Sequence, residues 1–488
     1  MYLSQRRDIP SARRFFTAAL RFHRNPCEVI ADRAPALANA IEELVPAAFH
    51  NTGQYENNRV ECDHSRLKAR DVWVRASVCV AGGCHNVDRA RPGPHLSCRR
   101  IMDIVLPSGT PATASGSSVP SGRATEIPAY CSGGDFTVGI EEELMLVDAA
   151  GALLGAEAAP LVSSLLHRTD NGVVTGEVYV DQVELNSPVC AGAEDAVRAL
   201  RTLRSWVAGQ GVQTMAVGCH PSAPFGTAPL AHSARYDAIV EEYAGLLRTP
   251  TAALQVHVGL PDAETAMLAY RGLRPRMPLL RALAAGSPYW HGVDSGLASA
   301  RSAILRSYPR TTVPPLLRSW EDYLARTETL MAAAEVSDYT YVWWDLRPRP
   351  PLGTLEVRVM DAQASLSRIA GLTALVQGIT RYAVESPDLN ELSDDVTAIN
   401  DHRVVRHGLD ARIVDVDGTL RPLREIAQRV VAQARTALAA DGLDAPLVVV
   451  DEMLCEPGEA ARQRRLVTTG GMPALLDDLI ARTADVEG

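Results

Sequence analysis

Several short segments of the chain alternate between apolar and polar residues. In residues 353–361, Leu355, Val357 and Val359 occupy every second position and predict one apolar face of a β-strand. The residues between them would share the opposite face, which carries Thr354, Glu356, Arg358 and Met360. Residues 253–259 repeat this pattern, with Gln255 and His257 opposite aliphatic neighbours. The pattern predicts strands with one buried face and one polar face.

Longer segments between the predicted strands carry apolar residues at helical spacing. The predicted strands are 136–147, 177–186, 213–219, 253–259 and 353–361. The predicted helices are 192–209, 233–248, 262–285, 315–334, 365–385, 422–440 and 472–483. This order suits a mainly antiparallel sheet with helices packed against one side. We therefore expect an α+β fold whose second sheet face is open.

The first quarter of the chain differs from the rest. Residues 1–134 hold 17 basic and 12 acidic residues, whereas the remainder holds 31 basic and 46 acidic residues. Residues 107–134 are rich in Pro, Ser, Gly and Thr, a composition that predicts a flexible linker. Residues 71–106 show no steady period, so 71–134 is predicted to be an irregular segment followed by a linker. A separate catalytic domain is expected over residues 135–488.

The amino-acid composition limits the kinds of catalytic and phosphate-binding site that the chain can contain. Hydrophobic residues make up 47% of the chain and charged residues 22%, which is typical of a soluble globular protein. Of 48 Lys plus Arg residues only Lys68 is a lysine, so the predicted catalytic domain has neither a P-loop nor a Schiff-base lysine. Phosphate would have to be held by arginines or metal ions. Nine cysteines at irregular spacing, with no apolar run of membrane-span length and no signal-peptide pattern, favour a cytoplasmic protein without membrane contact.

Two glutamates in the first predicted strand suggest a cation site. Glu141 and Glu143 point to the same side of the strand, about 7 Å apart, and would repel each other unless a positive charge lies between them. A divalent cation would supply that charge, although a solvated acidic edge strand explains this motif equally well. Glu142 points to the apolar side and is expected to be structural.

Further strands repeat the polar pattern. Glu177, Glu184, His257 and Glu356 would lie on the open face together with Glu141 and Glu143. His257 alone is more often a hydrogen-bonded core histidine, and Glu356 with Arg358 could be a surface ion pair. The repetition over four strands favours a metal-centred site. Carboxylate oxygens with one histidine suit Mg²⁺ or Mn²⁺ better than Zn²⁺.

Arginines near these strands are candidates for holding a triphosphate or a substrate carboxylate. A guanidinium pairs with either group through two parallel hydrogen bonds. Any one of them alone would more often be a surface arginine, and Arg358 is the strongest candidate because it shares a face with Glu356. The candidates are Arg301, Arg347, Arg358, Arg403 and Arg406.

Five ordered motifs together resemble the carboxylate–amine ligases of the glutamate–cysteine ligase type 2 family. The resemblance extends from about residue 135 to 483, and the motifs are 139–143, 182–188, 256–259, 344–348 and 353–361. It implies a glutamine-synthetase-like catalytic fold, in which the open face of the sheet binds ATP through magnesium ions. It also implies small-molecule substrates and leaves a homo-oligomer open.

Carried over by position, the resemblance assigns roles to single residues. The implied metal ligands are Glu141, Glu143, Glu177, Glu184, His257 and Glu356. Arg358 is the implied phosphate-binding arginine. The other candidate arginines are predicted from the residues and not from the resemblance: Arg301 to be catalytic together with Arg358, and Arg347, Arg403 and Arg406 to hold ATP with Arg358. The family usually has a histidine where this chain has Gln255. The implied reaction joins the side-chain carboxylate of glutamate to the amine of cysteine through an acyl phosphate.

The N-terminal segment resembles a different family. Residues 10–70 are similar to the end of the catalytic domain of insertion-element DDE transposases, with Asp32 and Glu61 at two of its three acidic positions. The first aspartate has no counterpart, so residues 1–70 are expected to be a remnant without nuclease activity. Three alternatives stay open, namely a ligase of a different acid–amine pair, a protein that binds nucleotide without catalysis and, more remotely, a DNA-processing protein. Nucleic-acid binding is not expected.

Overall fold

The computed structural model describes residues 28–30, 49–51, 79–80, 127–243, 245, 247–387 and 390–486. These residues fall into two compact units. In the first, strand β1 (Glu28–Ile30) pairs in parallel with β2 (Phe49–Asn51) and antiparallel with β3 (Cys79–Val80). Most of the transposase-like segment and of the predicted linker lies outside the described residues.

The second unit is built on a large antiparallel sheet. Its first six strands are β4 (Val138–Val147), β5 (His167–Thr169), β6 (Gly172–Gly176), β7 (Gln182–Asn186), β8 (Gln213–Met215) and β9 (Ala253–Gly259). Two small hairpins also form, β10 (Tyr289–Trp290) with β11 (Val293–Asp294), and β14 (Arg412–Val414) with β15 (Leu420–Pro422). The sheet is completed by β12 (Leu346–Arg349) and β13 (Thr354–Asp361). Its order is β12-β13-β9-β4-β7-β6-β5, and β8 pairs with the end of β4.

The described residues of the second unit form twelve α-helices. They are α1 (Ala158–Leu165), α2 (Ala193–Gly209), α3 (Ala234–Tyr243), α4 (Ala263–Leu273), α5 (Met277–Ala284), α6 (Ala300–Leu305), α7 (Trp320–Ala333), α8 (Leu366–Glu385), α9 (Asp394–His407), α10 (Leu423–Ala439), α11 (Leu447–Cys455) and α12 (Glu459–Ala484, broken at Gly471). Helices α2, α4, α5 and α8 contact the sheet strands directly. This is the α+β arrangement that the order of predicted elements indicated.

Helix α8 lies at the centre of the helical layer and contacts β4 and β9. The Ser365 hydroxyl accepts a hydrogen bond from the Arg368 N–H and so caps its first turn. A Cβ at Gly378 would lie only 2.6 Å from the Cβ of Ala434 in α10, so glycine is required for this close helix approach. The predicted span 365–385 matches α8 closely because its apolar pattern is long and regular.

The strand register places the acidic residues side by side. Glu141 pairs with Gln255, Glu143 pairs with Glu184 and Glu356 pairs with His257. Their sequence neighbours, such as Ile140, Val256 and Leu355, are at most 1% exposed and face the helices. Alternation along each strand therefore sends the aliphatic residues into the core and the ligand-type residues to the open face.

A β-bulge in β13 corrects one assignment. Val357 pairs with Val256 and Met360 pairs with Leu254, so Arg358 and Val359 together lie opposite Gln255. Met360 is therefore aligned with a core residue and is fully buried, rather than sharing the open face with Arg358. Simple alternation cannot reveal such a shift, because it assumes one residue opposite one residue.

Other predicted boundaries also change. The helix predicted at 262–285 is two helices, α4 and α5, separated by a 3₁₀ turn at Arg274–Arg276 that contains Pro275. Proline removes a helical hydrogen bond, which favours this break. Residues 346–349, which were not among the predicted strands, form strand β12. Among the described residues, no helix combines the length and the apolarity needed to cross a membrane.

Glu142 has the structural role that its position on the strand predicted. Its side chain is fully buried and pairs with Arg204 of α2, whose Nε donates a 3.0 Å hydrogen bond to Oε2. The same guanidinium donates to three backbone carbonyls, those of Gln363, Ala364 and Thr483. This ion pair ties β4 and α2 to the segment just before α8 and to the C-terminal helix.

Replacing Glu142 with glutamine is expected to lower the free energy of unfolding by about 3–5 kcal/mol, because the buried Arg204 charge loses its counter-ion. Equilibrium urea unfolding measures the effect. The matched control is Asp195→Asn, which breaks the exposed Arg198–Asp195 pair on the same helix and should cost under about 1 kcal/mol. Equal losses for the two variants would contradict the structural role of Glu142.

Candidate metal and phosphate site

Six of the predicted ligands form two separate clusters on the open face. Glu141, His257 and Glu356 form one cluster, which we call the histidine triad. The other contains Glu143, Glu177 and Glu184 and is called the carboxylate triad. Within each triad one ligand atom from every residue lies within 4.8 Å of the others, close enough to share a single cation.

In the histidine triad the imidazole of His257 is held through Nδ1, whereas its other nitrogen, Nε2, lies next to Glu141. His257 Nδ1 lies 3.0 Å from the Thr354 hydroxyl, which fixes the orientation of the ring. Nε2 lies 3.0 Å from Glu141 Oε1, yet the two atoms are not aligned as a hydrogen bond, and Nε2 is a buried atom without a hydrogen-bond partner. A buried nitrogen close to a carboxylate but not bonded to it fits a pair of ligands that converge on a cation.

The carboxylate triad concentrates negative charge. Glu143 accepts hydrogen bonds from the Ala253 N–H at 2.8 Å and from Gln255 Nε2 at 2.9 Å. Burial, with added repulsion from Glu177, raises the pKa of Glu143 to about 7. Burial, with repulsion from Glu141, Glu177 and Glu143, raises the pKa of Glu184 well above its usual range, and burial is the main cause that raises the pKa of Glu177. Protons or a divalent cation must offset this charge.

Around Glu356 the electrostatics are reversed. Its carboxylate is fully buried and accepts hydrogen bonds from Arg347 Nε at 2.7 Å and Arg349 Nη1 at 3.3 Å, and also from Arg358. Burial favours the neutral acid, but the charges of Arg347, Arg358 and Arg349 outweigh it and hold the pKa of Glu356 well below its usual range. Burial also lowers the pKa of Arg347 to about 10, which leaves it charged at neutral pH.

Arg349 was not among the residues chosen from the sequence. It lies on β12, two residues after Arg347, so both side chains face Glu356 across the antiparallel pair β12–β13. Recognising 346–349 as a strand would have identified it, since Arg347 and Arg349 then share one face. The signal was missed because residues 346–349 were not among the predicted strands.

Gln255 connects the two triads. Its Oε1 accepts a hydrogen bond from Arg358, whereas its Nε2 donates to Glu143. Arg358 in turn binds Glu356 of the histidine triad. The Gln255 amide therefore accepts a hydrogen bond from a guanidinium on one side and donates one to a carboxylate on the other. It can do both because an amide is neutral and has both an acceptor and a donor.

The remaining predicted arginines lie in different surroundings. Arg301 is buried at the start of α6, where its guanidinium donates to the carbonyl of Arg358 at 3.2 Å and lies 3.8 Å from Asp361. Arg403 and Arg406 lie at exposed positions of α9. Within the described part of the chain, neither forms a hydrogen bond with a member of either triad. Their role in ATP binding stays a prediction.

Comparison with known proteins identifies the family. The model of glutamate–cysteine ligase family 2 (GCS2) matches residues 137–476, more than two thirds of the chain. The chain belongs to this family. Relatives include two proteins of Rubrobacter xylanophilus, named "Putative glutamate–cysteine ligase 2-1" and "Putative glutamate–cysteine ligase 2-3". The first is 34% identical over 68% of this chain and 89% of its own length, and the second is 33% identical over 72% and 97%.

Solved structures show the same fold. The glutamate–cysteine ligase of Francisella tularensis, crystallised with AMP, has a TM-score of 0.55 at 14% identity, over 73% of this chain and 89% of that one. A bifunctional glutathione synthetase from Pasteurella multocida has a TM-score of 0.54 at 15% identity, over 72% and 52%. The glutamine-synthetase-like fold expected for this GCS2 protein is confirmed. It is a carboxylate–amine ligase by family.

The N-terminal resemblance is also confirmed at the level of sequence. A DDE domain model of the transposase type matches residues 1–77. The matched range ends a few residues beyond the limit of 70 that the sequence suggested. Asp32 and Glu61, the two acidic positions assigned there, lie outside the described residues.

The raised carboxyl pKa values predict a pH-dependent response to metal. The folded-state pKa of Glu143, about 7, exceeds its ordinary value of 4.5, so proton binding stabilises the metal-free fold fully below about pH 4.5. That contribution is lost as the pH rises through 7. A divalent ion binds the ionised carboxylates, so the increase in melting temperature caused by Mg²⁺ should be small at pH 5 and grow towards pH 8.

Differential scanning fluorimetry with Mg²⁺ or EDTA over this pH range measures the increase. The Glu143→Gln variant serves as the control, because its neutral amide removes one of the titrating ligands and should flatten the profile. An increase that is the same at every pH, or that shrinks as the pH rises, would contradict a metal site at the carboxylate triad.

Gln255→Leu is expected to weaken Mn²⁺ binding by about ten-fold or more, because it removes the donor that orients Glu143 and the acceptor that holds Arg358. Isothermal titration calorimetry measures the affinity. The control is Gln182→Leu, a buried glutamine of β7 whose Nε2 donates to the Thr251 carbonyl and not to a member of either triad. If both variants bind Mn²⁺ like the wild type, Gln255 does not orient the triads.

Proposed function

We propose that this protein is an ATP-dependent carboxylate–amine ligase that joins the side-chain carboxylate of glutamate to the amine of cysteine. One observation carries the proposal: two cation-sized ligand triads and three arginines share one open sheet face. The names of the relatives support glutamate and cysteine as the substrate pair. The AMP bound to the Francisella tularensis enzyme supports a nucleotide as the energy source.

The two triads would hold Mg²⁺ or Mn²⁺, and their donor sets fit these ions. Five of the six ligands are carboxylates and the sixth is a histidine whose Nε2 is left without a hydrogen bond. When bound, such ions neutralise the charge of the ATP phosphates and orient them for transfer. The carboxylates of both triads would then act as fixed oxygen ligands, held on strands of one antiparallel sheet or, for Glu177, just after β6.

The three arginines around Glu356 would have two different roles. All nitrogens of Arg347 are used, since Nε and Nη2 donate to Glu356 and Nη1 donates to the carbonyls of Thr340 and Val342. Arg347 therefore orients Glu356. The side chains of Arg358 and Arg349 are 25% and 22% exposed, so they can also reach a ligand. We assign both to the phosphates of ATP.

The proposed chemistry needs no nucleophile from the protein. An oxygen of the acid substrate attacks the γ-phosphorus of ATP, and the bond to ADP breaks. The amine nitrogen then attacks the resulting acyl carbon, loses a proton and expels inorganic phosphate. Arg358 would offset the charge that develops on the transferred phosphoryl group, and the sheet holds this guanidinium beside Glu356.

The test is ADP release by the full-length chain with ATP and Mg²⁺ over panels of acids and amines. Glutamate with cysteine should give turnover, and Glu356→Gln should lower kcat at least about 100-fold, because it removes a metal ligand and the counter-ion of three arginines. Glu385→Gln, at an exposed position of α8, is the control and should leave kcat unchanged.

Different outcomes separate the rival functions. Turnover with another acid–amine pair would replace glutamate and cysteine while keeping the ligase reaction. ATP binding without turnover of any pair would favour a nucleotide-binding protein that does not catalyse. Full activity in Glu356→Gln would contradict the site itself.

A further inference from the structure

The bulge in β13 depends on groups outside its neighbour β9. Arg358 and Val359 both lie opposite Gln255, so their backbone groups cannot all join the regular ladder. The Arg358 N–H instead donates to the Asp345 carbonyl at 2.8 Å, and the Arg358 carbonyl accepts from Arg301 Nη2 at 3.2 Å. Buried backbone groups without such partners would destabilise this conformation.

A second arginine, Arg281, donates together with Arg301 to the next backbone carbonyl, that of Val359. Val359 O accepts from Nη1 of Arg281 and from Nη1 of Arg301, both at 3.4 Å, so two long hydrogen bonds share one acceptor. The guanidiniums of Arg281, from α5, and Arg301, from α6, thus meet at the backbone of the bulge. Both side chains are at most 5% exposed.

Carboxylates fix Arg281 in place. Its Nε donates to Asp401 at 2.6 Å, its Nη2 donates to Asp345 at 2.7 Å, and its Nη1 also donates to the Ser302 hydroxyl at 2.6 Å. Arg306 binds the same two aspartates from the other side. Each of the three nitrogens of the Arg281 guanidinium therefore donates to a side chain, so the group has little freedom to move away from Val359.

We propose that Arg281 and Arg301 are positioning residues, which clamp the β13 bulge and so fix the Arg358 guanidinium between Glu356 and Gln255. Bulges are a common means of re-aiming a side chain next to a site of function. Arg301, which the sequence suggested as catalytic, acts in this scheme through Arg358. The catalytic consequence rests on the proposed ligase function, whereas the clamp itself does not.

Kinetics of Arg281→Lys test the catalytic consequence. Lysine keeps the charge but cannot reach Asp345, Asp401 and Val359 from one planar group. We expect kcat to fall about ten-fold or more, with the KM for ATP changed less than about three-fold. The matched control is Arg274→Lys, an equally buried arginine bonded to Pro314 O, Leu392 O and Asp394 but not to β13. It should lower the melting temperature similarly and keep kcat within about two-fold.

A double-mutant cycle separates positioning from general destabilisation. If Arg281 acts through Arg358, adding Arg281→Lys to Arg358→Ala should lower kcat by less than about two-fold further. Multiplicative losses in the double variant would overturn the proposal, because they would show that Arg281 acts independently of Arg358.

Hydrogen exchange tests the clamp without any activity. In Arg281→Lys and Arg301→Lys, peptides that cover residues 354–361 should exchange faster than in the wild type, while Arg274→Lys leaves them unchanged. If the wild type joins no acid–amine pair, the ligase proposal fails, yet the exchange result still decides the clamp. Unchanged exchange in both clamp variants would overturn it.

Discussion

Mutual repulsion of carboxylates on one sheet face is the constraint on which the rest of the site depends. The register of β4, β7, β9 and β13 gathers four acidic side chains there, and a fifth, Glu177, follows the end of β6. Burial by the surrounding chain leaves little water to solvate them. The five are Glu141, Glu143, Glu177, Glu184 and Glu356. Such a face is stable only with positive charge at short range. Arginine side chains supply part of this positive charge, and protons or bound cations must supply the rest.

The division of this charge gives the two triads different properties. Around Glu356, three guanidiniums surround one carboxylate and keep it ionised. Around Glu184 the carboxylates dominate, and protonation becomes favourable. Gln255 lies between these environments and contacts both without adding charge. The same sheet face therefore carries two ligand triads in different electrostatic surroundings, one rich in arginines and the other dominated by carboxylates.

Much of this could be predicted from the sequence because it depends on local periodicity. Alternation along β4 placed Glu141 and Glu143 on one face and Glu142 on the other, and the helical pattern of α8 gave its span. Strand β12 was missed because Pro348 lies within it. Proline cannot donate to a ladder, and β12 tolerates it since it lies at the edge of the sheet.

What the sequence could not predict depends on tertiary contacts. The bulge at Arg358 and Val359 is visible only in the pairing with β9, and its supports come from α5, α6 and the segment before β12. Likewise, Arg204 and Arg281 give no local sign of being buried, because their partners lie far away along the chain. Ion pairs of this kind follow from the fold rather than from the pattern.

The most direct test of the two-triad account is the stoichiometry of Mn²⁺ binding, measured by electron paramagnetic resonance on the metal-free protein near pH 8. The account predicts two bound ions for each chain, with one lost in Glu143→Gln and the other lost in His257→Ala. A wild type that binds no Mn²⁺, or variants that both retain two ions, would contradict it.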